Sequence, residues 1–214
     1  MDDDEPRGVK GAWSRHPMVV AIVGTLVAAG VVGAFTMSGV PDRLRARLNP
    51  PRTCDDHHGL TLLAPTELTA HASSELAPQG ALSYAAGSAV DGVTSTAWVE
   101  GVPGLGPGET LTVVLKEPAK VELVCVLNGY VSGNDLYARN GRVQDYRTVT
   151  DAGKNDGTLD VEVATSEKFQ KVNVATGTTG SVTIDIVSAR AGAASGGKRA
   201  APDTAISEVQ VYVG

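Results

Sequence analysis

From Pro17 to Pro41 the chain carries no Asp, Glu, Lys or Arg, and reads PMVVAIVGTLVAAGVVGAFTMSGVP over 25 consecutive positions. At about 1.5 Å per helical residue, ~20 of these cross the roughly 30 Å hydrocarbon layer of a bilayer. The hydrophobic region of a cleaved signal peptide is shorter, about 7–15 residues, and a core helix of a globular domain rarely stays uncharged for so long. The run therefore predicts a retained single-pass transmembrane helix over 18–40, which leaves a short tail at 1–17 and a juxtamembrane linker at 41–66. Basic residues do not orient this helix, because Arg7, Lys10 and Arg15 precede it while Arg43, Arg45, Arg47 and Arg52 follow it. The stretch DRLRARLNPPR suits anionic headgroups of either leaflet as well as it suits a solvated linker.

Residues 67–214 have a different period. Short β-type runs recur between turn clusters: LTAHAS, LSYAAG, ETLTVVLK, KVELVCVLNG, RVQDYRTVT, GTLDVEV, KFQKVNV, SVTIDIVSA and AISEVQVYV. In Val161-Glu162-Val163 and Ile184-Asp185-Ile186 the apolar side chains fall on one face and the acids on the other, which is the two-residue period of a half-buried strand. Segments of this length and spacing predict an all-β domain, an antiparallel jelly-roll sandwich following the membrane helix. Net charge is −6, with no basic cluster in the domain, so nucleic acid is excluded as a partner.

Catalytic groups do not assemble in the sequence. His16 lies beside the apolar run, His57 and His58 lie in the linker, and His71 lies on the first expected strand; no GxSxG occurs. Asp55 and Asp56 are linker neighbours and cannot hold the fixed separation that glycoside hydrolysis needs. The chain is expected not to be an enzyme and to need no cofactor for chemistry. CDDHH at 54–58 offers metal-ligand residue types at a spacing that cannot converge on one ion, and reads as linker. Cys54 and Cys125 are an even pair that an oxidising compartment permits to bridge; the alternative for Cys125 is a small buried hydrophobe within VELVCVL.

Several stretches resemble one family. Ala-Val-Asp-Gly at 89–92 with Thr96-Ala97-Trp98, Asn128-Gly129-Tyr130, and Ile206-Ser207-Glu208-Val209 are similar to the discoidin-like, galactose-binding-type jelly roll, most closely its NADase-type glycan-binding branch. The resemblance runs from about Leu68 to Gly214. It implies a bacterial membrane-anchored protein with a cytoplasmic tail and an extracytoplasmic glycan-binding domain at the cell envelope, and its rival is a module that binds an envelope protein and no sugar. In related jelly rolls an Asp, a Thr and a Glu help hold a structural Ca²⁺, and Asp91, Thr96 and Glu208 stand at those motif positions. Two carboxylates alone cannot satisfy a hard cation that takes six to eight oxygens, so backbone carbonyls would have to complete the set; alternatively Asp91 and Glu208 hydrogen-bond the two loops together without any metal.

The loop NGYVSGNDLYARNGRV offers aromatic rings and planar polar groups together, as a sugar site needs, and nominates Tyr130, Asn134, Asp135, Tyr137, Arg139, Asn140 and Arg142 as ligand contacts. Alternatively its Asn and Arg side chains serve only its own backbone. Trp98 is the largest apolar body of the domain and is expected in the core, with a sugar platform as the competing role.

Overall fold

The computed structural model describes residues 52–162 and 168–214, the side chain of Asn134 excepted. The expected tail at 1–17, membrane helix at 18–40 and first part of the linker lie outside the described residues. Among the described residues no helix is long and apolar enough to cross a membrane.

The strands are β1 (Thr61–Leu62), β2 (Leu68–Ala72), β3 (Trp98–Val99), β4 (Thr110–Asn128), β5 (Arg142–Thr150), β6 (Gly153–Thr158), β7 (Gln170–Val172), β8 (Gly177–Arg190) and β9 (Ala205–Val213), with one helical turn and a half, α1 (Asn134–Arg139). All their pairings are antiparallel. The larger sheet runs β2–β4–β8–β5–β6; in the smaller one β9 lies between β4 on one side and β1 and β3 on the other, with β7 on the far edge of β4.

The two sheets share β4, and the reason is legible in its sequence. ETLTVVLK and KVELVCVLNG are one strand of 19 residues interrupted by Glu117-Pro118. Proline has no N–H to give a ladder, and the register against β8 shifts between Val114 and Ala119. Ahead of the break β4 pairs with β2 and β8; beyond it β8 follows only as far as Val121, and β9 and β7 take over. A bulge of this kind bends a strand out of one layer and into the next.

Between the layers lies one apolar core. Leu111, Val113, Val143, Tyr146, Val182, Ile184 and Ile186 meet Trp98, Val124, Val126, Ile206, Val209 and Val211. Trp98 is fully buried, and its Nε1 donates to the Ser74 carbonyl at 2.9 Å, so the ring is core and presents no face to a ligand. Ile184 and Ile186 face inward as their alternation requires.

Three segments depart from expectation. LSYAAG forms no strand: Ala86–Ala89 is a 3-10 turn, in keeping with an Ala-Gly-Ser-Ala sequence that lacks β-branched side chains. Leu159–Glu162 also leaves the sheet, because the Gln170 side chain takes over the backbone of Asp160, accepting from its N–H at 2.7 Å and donating to its carbonyl at 2.9 Å. Residues 53–66, read above as linker, are fastened to the sandwich. Cys54 and Cys125 form a disulfide, with Cα atoms 5.9 Å apart, and β1 pairs with the end of β9.

Candidate functional site

Two clusters of polar groups stand at opposite ends of the short β3 segment. One precedes it, around Thr96; the other follows it, around Val99.

The first is a corner rich in oxygen. Asp91-Gly92 makes a turn in which Gly92 adopts φ 77°, and Asp91 Oδ1 accepts from the Val93 N–H at 2.8 Å. Thr96 follows, with its hydroxyl 3.0 and 2.9 Å from the two Asp91 oxygens, 2.7 Å from the Val93 carbonyl and 3.2 Å from the Ser88 carbonyl. One hydroxyl has one proton, so four acceptors surround a single donor. β9 brings a further acceptor. Glu208 is buried, and its Oε2 has no hydrogen-bond partner. Burial, followed by the nearby Asp91 charge, pushes the Glu208 carboxyl up to about 7, against a smaller opposing pull from the Gly92 N–H.

Asp91, Thr96 and Glu208, nominated as a set from their motif positions, are thus brought together. Surplus lone pairs and an orphaned buried carboxylate oxygen are what a hard cation answers, with the Ser88 and Val93 carbonyls supplying the extra oxygens that two carboxylates lack. The residues present fit Ca²⁺. Among the described residues no group of three or more His, Cys, Asp or Glu side chains converges, CDDHH included. Its cysteine is spent in the disulfide and the His57 ring lies 4.6 Å from that of Tyr212.

The second cluster is a small cavity of about 130 Å³. Leu76, Tyr84, Val99 and Leu136 give it an apolar wall, and Arg139, Asn140 and Asp203 its polar side. The loop after β4 is held at both ends. Asn128 clamps β5 reciprocally, its Nδ2 donating to the Val143 carbonyl at 2.8 Å and its Oδ1 accepting from the Val143 N–H at 3.0 Å. Ser207 of β9 accepts from the Val131 N–H at 3.0 Å. Between these clamps Gly133, at φ 100°, turns the chain into α1, whose Asp135 sits in the first turn and Arg139 in the last, each suited to its end of the helix dipole.

Of the seven residues nominated in this loop, three line the cavity: Tyr130, Arg139 and Asn140. Tyr130 packs edge-to-face on Tyr84, with centroids 6.2 Å apart. Arg139 Nε donates to the Arg199 carbonyl at 2.7 Å, and Asn140 Nδ2 to the Leu136 carbonyl at 2.8 Å. Asn134 opens α1. Asp135 lies on the surface and accepts from the Ser195 hydroxyl at 2.7 Å. Tyr137 and Arg142 do not reach the cavity. Tyr137 is buried beside Leu127, Val131 and Phe169, and the Arg142 guanidinium lies 4.9 Å from its ring centroid while Nη1 donates to the Tyr137 carbonyl. These two fix the shape of the loop.

Tyr84, Gln79 and Asp203 complete the cavity and were missed in the sequence. They come from segments about 50 residues before the loop and 60 after it, so no local pattern ties them to it. The nearest signals are the turn residues beside them, Gly80 and Pro202. Burial holds the Asp203 carboxyl above the usual carboxylate range.

The comparisons with known proteins agree with this architecture. The family profile for the NAD glycohydrolase translocation F5/8 type C domain matches residues 65–212. No curated protein matches the chain. Among solved structures, the family 32 CBM from Clostridium perfringens NanJ, in complex with galactose, superposes with a TM-score of 0.50 at 21% identity, covering 72% of this chain and 98% of that one. CpGH89CBM32-5 from the same organism, in complex with GalNAc-β-1,3-galactose, gives 0.53 at 18% identity, covering 71% and 99%. A third, CBM32-3 from a C. perfringens family 31 glycoside hydrolase, gives 0.51 at 19%, covering 72% and 95%. At these identities the likeness is one of fold.

Proposed function

The chain belongs to the NAD glycohydrolase translocation F5/8 type C domain family, and from that premise we propose that it is a non-enzymatic glycan-binding module, anchored in the cell membrane by residues 18–40. The carrying observation is the cavity on which Tyr130, Arg139 and Asn140 converge with Asp203. Its volume of about 130 Å³ suits one sugar residue rather than an extended chain. The polar side presents an acceptor, Asp203, and a donor, Arg139, as the vicinal hydroxyls of a pyranose require, while the half-buried Leu76 and Leu136 are placed to meet its C–H faces. The galactose and GalNAc-β-1,3-galactose bound by the two Clostridium modules make galactose-terminated glycans the first ligands to try.

The bridge supports one localisation. Disulfides persist on the oxidising side of a membrane, so Cys54–Cys125 favours an extracytoplasmic domain and a cytoplasmic tail. Protease added to intact cells should then remove the domain; protection until the membrane is opened would reverse the topology.

Asp91, Thr96 and Glu208, with the Ser88 and Val93 carbonyls, would hold a structural Ca²⁺. Its chemistry there is charge compensation. The protein's own part is to keep Glu208 poised beside Asp91 and to tie the loop of 88–96 to β9.

One observation favours the rival reading, a module that binds an envelope protein. Tyr84, Tyr130 and Tyr137 are only 7%, 5% and 9% exposed, which leaves little ring face for stacking on a sugar. A glycan array probed with the full chain separates the two. Binding that is lost in Arg139→Ala and Asp203→Asn supports the sugar site; a silent array with the wild-type protein folded assigns the cavity to a protein partner.

A further inference from the structure

The outer faces of the two sheets differ. On the larger sheet the side chains opposite the core are polar: Thr112 and Thr183 share a hydrogen bond at 2.9 Å, and Arg147 pairs with Asp156. On the smaller sheet the corresponding strip is apolar. Leu123 and Cys125 are fully buried and Tyr212 nearly so, beneath Cys54, Leu60 and Phe169. Beside Phe169, what covers the strip is the segment Arg52–Leu60, a strap laid across it. The backbone hydrogen bonds of residues 53–60 stay inside the strap, between Thr53 and Asp56 and between His57 and Leu60. Its attachments are the disulfide, the apolar contacts, the His57–Tyr212 ring contact and the Lys171 ammonium on the Arg52 carbonyl at 3.0 Å.

A cleft of about 360 Å³ opens beside Cys54, lined also by Thr53 and Phe169, the carboxylates of Asp55 and Asp160 and the ammonium groups of Lys168 and Lys171. Cys54 is half-buried, whereas Cys125 is sealed. Lys171 stands directly opposite Cys125 in the β4–β7 register, so both side chains leave the sheet on the same face. An ammonium there favours the approach of a thiolate to Cys54 and the departure of a thiolate from Cys125.

We propose that the Cys54–Cys125 bridge is a thiol–disulfide exchange site, attacked through the cleft beside Cys54 by the thiolate of a dithiol reductant, and that its reduction lifts the Arg52–Leu60 strap off the apolar face of the smaller sheet. The thiolate forms a bond to Cys54 Sγ as the S–S bond breaks, and the electron pair leaves on Cys125 Sγ, which takes up a proton. The reductant's second thiolate then displaces Cys54 from the mixed disulfide. The reductant departs as a disulfide, two electrons and two protons having passed to the protein. With the strap free, the face of Leu123, Cys125 and Tyr212 keeps only Phe169 as cover while the core between the sheets is untouched.

The test treats the folded full chain with dithiothreitol and follows alkylation of the thiols together with amide hydrogen exchange. Both thiols should appear while β4 and β9 stay protected, and amides 53–60 should exchange at least about tenfold faster after reduction. Lys171→Gln, which leaves the bridge intact, should slow reduction on the order of tenfold. Cys54→Ser should show the reduced pattern without reductant. Thiols that appear only when β4 and β9 lose protection, an unchanged reduction rate in Lys171→Gln, or a Cys54→Ser chain that does not fold would each overturn the proposal and leave the bridge a structural staple.

Discussion

The oxygen-rich corner before β3 and the cavity after it differ in how far their polar groups are satisfied. In the corner, acceptors outnumber donors: Thr96 faces four oxygens and Glu208 Oε2 has none of its own partners. In the cavity, Arg139 and Asn140 each already spend a donor on a neighbouring carbonyl, and Tyr130 is packed on Tyr84. On the proposed reading a cation completes the corner, while the polar groups of the cavity already have partners within the chain. A cation should therefore act on folding stability, and a glycan on binding, with little exchange between the two.

The largest expected effect removes the element that both share. Trp98 fills the core between Thr96 and Val99, and Trp98→Ala should cost about 3–5 kcal/mol in denaturant unfolding, with calcium response and ligand binding lost together. A loss below about 1 kcal/mol would mean that the ring does not hold the two sites.

Next comes the pH dependence of the corner. Glu208 is held at about 7, above its ordinary 4.5, so the folded state favours the protonated form. The stability this group contributes is fully present below pH 4.5 and is lost as pH rises through 7, a change of about 3 kcal/mol without calcium. Glu208→Gln should abolish that loss. Calcium should raise the melting temperature of the wild-type chain above pH 7, more weakly at pH 5.5 where protons compete, and not at all in Glu208→Gln. Melting curves across pH with and without calcium would check all three; a flat response in the wild type would leave the corner a hydrogen-bonded turn.

Tyr137→Ala sharpens the contrast from the other side. Because the ring is buried beside Leu127 and Val131 and carries the Arg142 guanidinium, its loss should cost on the order of 2–4 kcal/mol in chemical unfolding. An effect confined to ligand affinity would return Tyr137 to the binding surface.

The smallest change in stability belongs to the cavity. Arg139→Ala and Asp203→Asn should move unfolding by about 1 kcal/mol or less while lowering glycan affinity at least about tenfold by calorimetry. Unfolding of either variant would show that the cavity is held together by these groups.

The strand-forming runs, the break at Pro118 and the inward alternation of Ile184 and Ile186 are all local, and so could be read without coordinates. So could the convergence of Asp91 and Thr96, five residues apart in one turn; Glu208 joins them through a motif position. Leu159–Glu162 misled because a Gln170 side chain eleven residues after Leu159 replaced the ladder, a competition that no window of alternation contains. The loop residues divided for the same kind of reason. Tyr130 and Tyr137 have the same chemistry and nearly the same burial, yet one borders a cavity closed by Tyr84 and Asp203 and the other stacks against Arg142.

By itself the sequence determined the β-rich domain after the uncharged run, its alternating strands, the identity of the corner's side chains and the presence of a cysteine pair. Only the tertiary structure decided that Cys54 and Cys125 bridge, that 53–60 serves as a cover, which aromatic rings are core, and which polar groups share a cavity. Periodicity and turn chemistry act between neighbours a few residues apart. Burial, pairing and charge compensation depend on which distant segments meet, and in a sandwich whose β4 pairs with β2, β7, β8 and β9 those meetings are set by the whole chain at once.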